Sequence, residues 1–220
     1  TRKESSAASD VYKRQAVDSL LLTGFEPFGG DSRNPSGEIA AALDGTVLHG
    51  KVLIHSLVLP VATHAAWQLT ITAIRRTKPR WIVATGVAPR ATITPESQAV
   101  NWCDYRIPDN SGIIRRDQPS VPGTRRIYRT AVDTNKLAAA IRAAGIPAEP
   151  SDDAGRFVCN DFYTHLLRLT SRPTHRAAGR SLFVHVPKIP EMGGNPPFLP
   201  LSDTHRGLVA LLTALTHPHD

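Results

Sequence analysis

The chain has 220 residues, of which 41% are hydrophobic, 20% are charged and 6% are aromatic, and its formal net charge is +7. This length and composition favour one globular domain with a substantial core and argue against a disordered chain. No apolar run approaches the roughly 20 residues that a membrane-spanning helix requires, so we expect no membrane partner.

The first fifteen residues, TRKESSAASDVYKRQ, are polar and lack hydrophobic periodicity. They contain no apolar centre and no small-residue cleavage site, so they do not resemble a secretory signal. We interpret residues 1–15 as a disordered or artefactual tail, with a short native arm as the alternative. Residues 16–220 are assigned to the folded domain.

The basic charge does not by itself indicate a nucleic-acid partner. The first fifteen residues carry four basic and two acidic side chains, which leaves +5 on the remainder of the chain. The arginines of the domain are scattered, and aromatic residues that could stack on bases are not interleaved with them. A solvated basic surface is therefore the preferred interpretation, and we expect no nucleic-acid partner.

The chain contains two cysteines, Cys103 and Cys159. Two cysteines cannot build a disulfide framework, which favours a reducing, cytoplasmic setting. Their wide separation and the lack of CxxC or HxxxH pairs argue against a metal site.

Buried β-type runs alternate with helical patterns along the chain. The predicted strands are residues 17–23, 52–59, 81–85 and 182–186. The predicted helices are residues 36–43, 63–76, 134–144, a segment from residue 157 onward, and 202–215, with Ser36 as a helix N-cap. This alternation predicts a single α/β domain with a mainly parallel twisted sheet and helices on both faces.

The segment 87–130 is rich in proline and glycine and contains the turn sequence PDNSG. So long an irregular stretch within a compact domain usually carries function or forms small hairpins of its own. We expect this segment to pack over the crevice at the carboxyl ends of the strands, where ligands bind in α/β sheets.

Cys159, in the sequence GRFVCNDFY, follows a glycine that permits a turn and begins a helical pattern. At a helix N-terminus the dipole and free N–H groups favour a reactive thiolate and can receive an oxyanion. A small buried hydrophobic role is the alternative for a lone cysteine.

Two further side chains could assist a reactive thiol. His185 lies at the carboxyl end of a predicted buried strand, where an imidazole would face the crevice and could act as base. His165 is a weaker candidate, because six helical positions turn it about 240° away from Cys159. Glu96 could orient the imidazole, although a solvated glutamate is the simpler interpretation. The competing carboxylates are Asp104, Asp109 and Asp161.

The segment GFEPFGG at residues 24–30 is not a phosphate loop, because it lacks the required spacing and lysine. It places Phe25 and Phe28 on a loop that follows the first strand. Two aromatic side chains at a strand end suggest an apolar ligand slot, and ordinary loop packing is an equal alternative.

Five segments occur together in the order seen in one known family: LLTGFEPFGG followed by NPS, GVAPRATITPES with AVN, RIPDN, AGRFVCN, and FVHVPKIPE. The chain resembles the pyroglutamyl peptidase I family from about Ser19 to Leu215. This resemblance implies a single α/β domain, a cytoplasmic enzyme without metal or other cofactor, and assembly as a homo-tetramer.

The resemblance also implies individual roles. Cys159 matches the nucleophile, His185 the base and Glu96 the acid of a Cys-His-Glu triad. The residues expected to bind a pyroglutamyl peptide substrate are Phe25 and Phe28, which match aromatics that sandwich the ring, Asn34 beside that pocket, and Arg90, which matches an arginine near the oxyanion region.

The sequence departs from the family pattern after the third predicted strand. Where the family usually has GQAGGR, this chain has the shorter GVAPR at residues 86–90, so Val87 replaces a glutamine associated with recognition of the lactam. A valine cannot make that hydrogen bond. Two alternatives to a pyroglutamyl peptidase follow: a related amidase or peptidase with altered specificity, and a non-catalytic binding protein on the same fold.

Overall fold

The structure is a computed structural model, which describes residues 18–217. The interpretation of residues 1–15 as a tail therefore lies outside the described residues, as does Val17 at the start of the first predicted strand. The predicted strands and helices of the remaining chain are present, and their ends agree with the prediction to within two residues.

The strands are β1 (Asp18–Phe25), β2 (Val47–Leu48), β3 (Val52–Leu59), β4 (Trp81–Val87), β5 (Thr94–Glu96), β6 (Gln98–Val100), β7 (Ile127–Arg129) and β8 (Ser181–Val186). The helices are α1 (Pro35–Leu43), α2 (Thr63–Thr77), α3 (Thr134–Ala143), α4 (Val158–Thr170) and α5 (Leu201–Thr216), and a 3₁₀ turn covers Pro190–Met192.

Six of these strands form the main sheet, in the order β2-β3-β1-β4-β8-β5. The four central strands β3, β1, β4 and β8 run parallel, whereas β2 and β5 pair antiparallel at the two edges. The carboxyl ends of the parallel strands therefore meet at one edge of the sheet, where sites form in this class of fold. The prediction of a mainly parallel sheet is confirmed.

Hydrophobic cores lie on both faces of the sheet, because successive strand residues point to opposite sides. Leu20 and Leu22 belong to one core, which α1, α3 and α5 cover, and Leu21 belongs to the other, which α2 and α4 cover. Both faces are therefore closed by helices, as expected for a parallel sheet.

The beginning of α1 differs from the prediction. Asn34, rather than Ser36, is the N-cap, and its side chain accepts a hydrogen bond from the Ser36 backbone N–H at 3.1 Å. Pro35 then occupies the first helical position, where its missing N–H costs nothing because that group has no acceptor within the helix.

The segment 87–130, predicted to be irregular and to carry function or form small hairpins, contains three short strands. β5 joins the main sheet beside β8, and β6 pairs with β7 as a separate two-stranded ribbon. Much of the rest is held by individual contacts, such as the backbone hydrogen bonds between Cys103 and Gln118. Within residues 18–217, no helix is both long and apolar enough to cross a membrane.

Candidate active site

A cleft of about 900 Å³ opens at the carboxyl ends of β1, β4 and β8. Cys159, His185, Phe25, Phe28, Asn34 and Arg90 all border it. Glu96 lies behind this lining, with no exposed surface. The site residues predicted from the sequence are therefore gathered in one region, although they come from four different segments of the chain.

Cys159 is the second residue of α4. The chain reaches this helix through Gly155, whose φ of +80° lies in a region that favours glycine. Phe157 is the N-cap but supplies no side-chain hydrogen bond to the helix. Because the first N–H groups of a helix have no acceptor within it, donors at the start of α4 are available near the thiol.

His185 lies in β8, one residue before its end, and is only 4% exposed. Burial by itself lowers the pKa of an imidazole, but hydrogen bonds and opposite charge from Cys159 and Glu96 outweigh that effect. Together they raise the pKa of His185 from its ordinary 6.5 to about 9. Cys159 and Glu96 are therefore the two groups that favour the protonated imidazole.

Glu96 reaches His185 because β5 pairs antiparallel with β8. Thr94 is the direct partner of His185 and Glu96 is the partner of Phe183, which makes Glu96 a diagonal neighbour of the imidazole on the same face. The distance from Glu96 Oε1 to His185 Nδ1 is 2.7 Å. Such a bond fixes the ring orientation and directs the other ring nitrogen away from the carboxylate.

Other contacts, among them those of Arg90 and Tyr163, hold Glu96 in place. The Arg90 guanidinium donates to Glu96 Oε1 at 2.8 Å, and the hydroxyl of Tyr163 donates to the backbone carbonyl of Glu96, also at 2.8 Å. Glu96 Oε2 is buried and has no hydrogen-bond partner among the described protein groups. The carboxylate is thus oriented entirely through one of its oxygens.

The two phenylalanines form part of the apolar wall of the cleft. Phe25 is 3% exposed and packs edge-on against Phe162 of α4, with ring centroids 5.9 Å apart. Phe28 is half-buried and stacks at a tilt on Phe157, with centroids 5.0 Å apart. Phe25 therefore packs against the helix that carries Cys159, and Phe28 packs against the N-cap residue of that helix.

Asn34 and Arg90 border the cleft, but their polar atoms contact protein groups. The Asn34 amide donates to the Glu26 carbonyl at 2.9 Å, and its oxygen accepts from Ser36. It thereby connects the two ends of the loop that carries Phe28. Arg90 binds Glu96, as described above.

The other candidate side chains, Asp104, Asp109 and His165, have partners other than His185. Asp104 borders the cleft but is exposed, with Arg116 3.9 Å away. Asp109 accepts hydrogen bonds from Ser111 and the Ile113 backbone and stabilises a turn. The ring of His165 lies against Trp67, with centroids 5.4 Å apart, and is not part of the cleft wall.

A buried polar network around Asp161 was not predicted. Asp161 is fully buried and accepts hydrogen bonds from the Tyr105 hydroxyl at 2.7 Å, from Arg115 Nη1 at 2.6 Å, and from Ser120. These partners come from the segment that forms one wall of the cleft, so the network fastens that wall to the nucleophile's helix. An aspartate in a first helical turn ordinarily interacts only with the helix dipole, so its sequence context carries no signal for this role.

A second unpredicted contact joins two walls of the cleft. Lys188, beyond β8, lies 2.9 Å from Asp31 Oδ2, in the loop after β1. Both side chains border the cleft and are partly exposed, so their attraction contributes modestly to stability. No local pattern could pair residues 157 positions apart.

The arrangement suits thiol chemistry. A thiol and an imidazole border the same apolar cleft, and a buried carboxylate is hydrogen-bonded to the imidazole. The thiol also lies in the first turn of a helix, where backbone N–H groups are available. Among residues 18–217, no cluster of three or more His, Cys, Asp and Glu side chains could hold a metal ion.

Comparison with known proteins gives one consistent family. Residues 18–215 match the family model described as pyroglutamyl peptidase. A pyrrolidone-carboxylate peptidase from Vibrio campbellii is 37% identical over 203 residues, covering 89% of this chain and 92% of that protein. The enzyme of the same name from Pyrococcus furiosus is 39% identical over 173 residues, covering 78% and 82%.

Solved structures agree with the sequence matches. The pyroglutamyl peptidase I from Bacillus amyloliquefaciens superposes with a TM-score of 0.85 at 35% identity, covering 91% of this chain and 96% of that chain. The pyrrolidone carboxyl peptidase from Thermococcus litoralis gives a TM-score of 0.84 at 30% identity, covering 90% and 93%. The chain belongs to the pyroglutamyl peptidase family.

Proposed function

We propose that this chain is a cysteine peptidase that removes an N-terminal pyroglutamyl residue from peptides, with Cys159 as nucleophile, His185 as base and Glu96 as the orienting acid. The observation that carries the assignment of roles is the buried 2.7 Å contact between His185 and Glu96, beside the cleft that Cys159 borders. Family membership supports the reaction itself.

In the first step, Cys159 Sγ attacks the carbonyl carbon that joins pyroglutamate to the next residue, and its proton passes to His185. The carbonyl oxygen becomes an oxyanion, which N–H groups at the start of α4 can stabilise. The carbon–nitrogen bond then breaks, and the departing amine takes the proton from His185. Pyroglutamate remains attached to Cys159 as a thioester.

Water completes the cycle. His185 accepts a proton from water as its oxygen attacks the thioester carbonyl, the carbon–sulfur bond breaks, and the proton returns to the Cys159–His185 pair. Glu96 keeps Nδ1 of the ring occupied throughout, so that the other nitrogen faces the thiol and the reacting atoms. Pyroglutamate leaves as the free acid.

The cleft suits a pyroglutamyl ring for two reasons. The nitrogen of the pyroglutamyl ring is part of a lactam and carries no charge, so the ring can enter an apolar slot without the desolvation cost of an ammonium group. Phe25 and Phe28 supply that slot. Asn34 shapes this slot indirectly, since the Asn34 amide holds the loop that carries Phe28 against the start of α1.

The proposal extends to the setting of the enzyme. Cys103 and Cys159 are both free thiols, which supports a cytoplasmic, reducing location.

Assembly as a homo-tetramer is inferred from the family resemblance, and three exposed isoleucines, Ile107, Ile113 and Ile114, provide apolar surface for it. Light scattering on the purified chain would measure the assembly, and a monomer would contradict it. We propose neither a nucleic-acid nor a membrane partner.

The test is turnover of a fluorogenic pyroglutamyl amide before and after treatment with iodoacetamide. Hydrolysis that alkylation abolishes supports the proposal, and hydrolysis that survives full alkylation of Cys159 contradicts the nucleophile assignment. Absence of hydrolysis by folded protein contradicts the function as a whole.

A second candidate is a related amidase with altered specificity, which Val87 favours. Val87 borders the cleft where a family glutamine usually recognises the lactam. The same assay with a prolyl amide separates the two candidates. Comparable turnover of both substrates would favour the altered specificity, because a prolyl ring lacks the lactam carbonyl.

A further inference from the structure

The guanidinium of Arg90 is hydrogen-bonded to several protein groups, one of which is the catalytic carboxylate. Its Nη1 lies 2.8 Å from Glu96 Oε1, 2.8 Å from Thr94 Oγ1 and 3.0 Å from Ser151 Oγ. Its Nη2 donates to the backbone carbonyl of Asp153. A guanidinium held by four acceptors has a fixed orientation, because its planar fork matches only one arrangement of them.

Arg90 also separates two cavities. One is the cleft that Cys159 borders, and the other is an open pocket of about 510 Å³ whose lining includes Thr94 and Ser151. Arg90 borders both, whereas Glu96 borders neither and its side chain is fully buried. The guanidinium is therefore part of the layer that keeps the carboxylate away from solvent in the second pocket.

The same contacts connect the acid to the nucleophile's segment. Ser151 and Asp153, which bind Arg90, immediately precede the turn at Gly155 that leads into α4. A shift of the guanidinium would therefore disturb both Glu96 and the approach to Cys159. Small displacements matter here, because misplacing a catalytic group by about 1 Å can cost about 100-fold in rate.

We propose that Arg90 is a positioning residue, which acts through Glu96 rather than by contact with the substrate. It holds the carboxylate against His185 and closes the path by which water from the second pocket would reach it. This inference rests on the proposed function and differs from the substrate contact that the family resemblance implies for Arg90. The two roles predict different kinetics.

The first experiment separates kcat from KM. Arg90→Ala is expected to lower kcat for a fluorogenic pyroglutamyl amide by about 10- to 100-fold while KM changes by less than about twofold. Arg90→Lys, which can still donate to Glu96 but lacks the planar fork, is expected to fall between Arg90→Ala and wild type. A raised KM with unchanged kcat would overturn the proposal in favour of substrate contact.

A double-mutant cycle tests whether the effect passes through Glu96. In a Glu96→Gln background, Arg90→Ala should lower kcat by no more than about threefold, because the carboxylate that Arg90 positions is already absent. Full additivity of the two losses would show that Arg90 acts elsewhere, and would overturn the proposal.

Chemical rescue gives an independent measurement. Millimolar guanidinium chloride, far below the molar concentrations that unfold proteins, should enter from the open pocket and restore kcat of Arg90→Ala several-fold. Sodium chloride at the same concentration is the control for ionic strength. Arg80→Ala is the matched variant, because Arg80 pairs with Asp18 at the opposite end of the sheet and should show no rescue. Recovery no greater than with sodium chloride would contradict the proposal.

The rate of Cys159 alkylation distinguishes failure of this inference from failure of the proposed function. If wild-type protein does not hydrolyse pyroglutamyl amides, the function fails, but alkylation still reports the environment of the thiol. Arg90→Ala should slow alkylation in the wild-type background and leave it unchanged in Glu96→Gln. Equal slowing in both backgrounds would overturn the positioning role whatever the substrate.

Discussion

Gly86 lies directly against the sulfur of Cys159: a β-carbon added to Gly86 would stand 3.0 Å from Cys159 Sγ and 2.9 Å from the ring of Phe183. Both distances are shorter than ordinary van der Waals contact. The thiol therefore occupies space that exists because β4 carries no side chain at this position. Gly86 pairs in register with His185 of β8. The glycine that leaves room for the sulfur therefore lies directly beside the residue that carries the imidazole.

Gly86→Ala should therefore displace the thiol and lower kcat, by about 10- to 100-fold if the sulfur moves by a fraction of an ångström to 1 Å. The variant should also lose about 1–3 kcal/mol of unfolding free energy through overpacking against Phe183. Steady-state kinetics and urea unfolding measure the two effects.

Gly207→Ala is the matched control for this change. A β-carbon there would stand 2.5 Å from the side chain of Ile93, in the core on the face covered by α5. It should cost a similar amount of stability without a comparable loss of kcat. Equal losses of kcat in the two variants would mean that Gly86→Ala acts through general destabilisation and not through the thiol.

The two cysteines should behave differently toward substitution and alkylation. Cys159→Ser should retain the fold and lose at least about 10³ in rate, because a hydroxyl is a far weaker nucleophile than a thiolate at neutral pH. Cys103→Ser should retain activity. Burial and, secondarily, the charge of Asp161 raise the pKa of Cys103 to about 12, so this thiol should resist iodoacetamide.

Mass spectrometry of the alkylated native protein should thus show one modification, at Cys159, in step with the loss of activity. Near-full turnover by Cys159→Ser would end the cysteine-peptidase assignment. Modification of Cys103 at a similar rate would contradict its burial.

The pH dependence of stability should report the state of His185. Its folded pKa is raised to about 9 by Cys159 and Glu96, despite burial, from an ordinary 6.5. A raised folded pKa means that the protonated imidazole stabilises the folded state. This contribution is fully present below about pH 6.5 and is lost as the pH rises through about 9.

We therefore expect the Tm of the wild type to fall between about pH 7 and pH 9.5, and Glu96→Gln to show a weaker fall, since one of the groups that raise this pKa has been neutralised. The alkaline decline of kcat/KM should move to lower pH in the same variant. Thermal unfolding at several pH values checks the first result, and parallel Tm curves for both proteins would refute the assigned cause.

The sequence was sufficient for the central sheet but not for the way the acid reaches the base. The strands near Leu21 and Val83 carry continuous apolar runs and are almost fully buried, so their position inside the sheet follows from their composition. The three-residue strand that holds Glu96 has no such pattern, and its position depends on antiparallel pairing with β8. Strands this short are defined by their partners, so the sequence alone left a solvated glutamate as the simpler interpretation.

The buried polar contacts were also beyond local inference. Asp161 was expected only as a competing carboxylate, yet it anchors the segment that contributes Tyr105 and Arg115. Arg90 was assigned to substrate contact by resemblance, and its hydrogen bonds to Ser151 and Asp153 depend on residues about 60 positions away. Polar side chains acquire these partners only after the chain has folded, and neither periodicity nor propensity encodes them.

Val87 provides the sharpest test of how the lactam is recognised. It lies at the end of β4, is half-buried and borders the cleft. Val87→Gln should lower KM for a pyroglutamyl amide by about two- to tenfold, which corresponds to one neutral hydrogen bond of about 0.5–1.5 kcal/mol. Because that bond forms in the ground state and the transition state alike, kcat should stay unchanged.

Val87→Leu is the matched control, since it changes the side-chain volume without adding an amide, and its KM should remain near that of the wild type. The gain in Val87→Gln should be confined to pyroglutamyl substrates, because a prolyl amide offers no lactam carbonyl. The adverse result would come from the wild type itself. If the wild type already strongly prefers pyroglutamyl over prolyl amides, another group recognises the lactam, and the backbone between Phe25 and Asn34 is the first place to examine. Val87 would then be a neutral replacement of the family's glutamine.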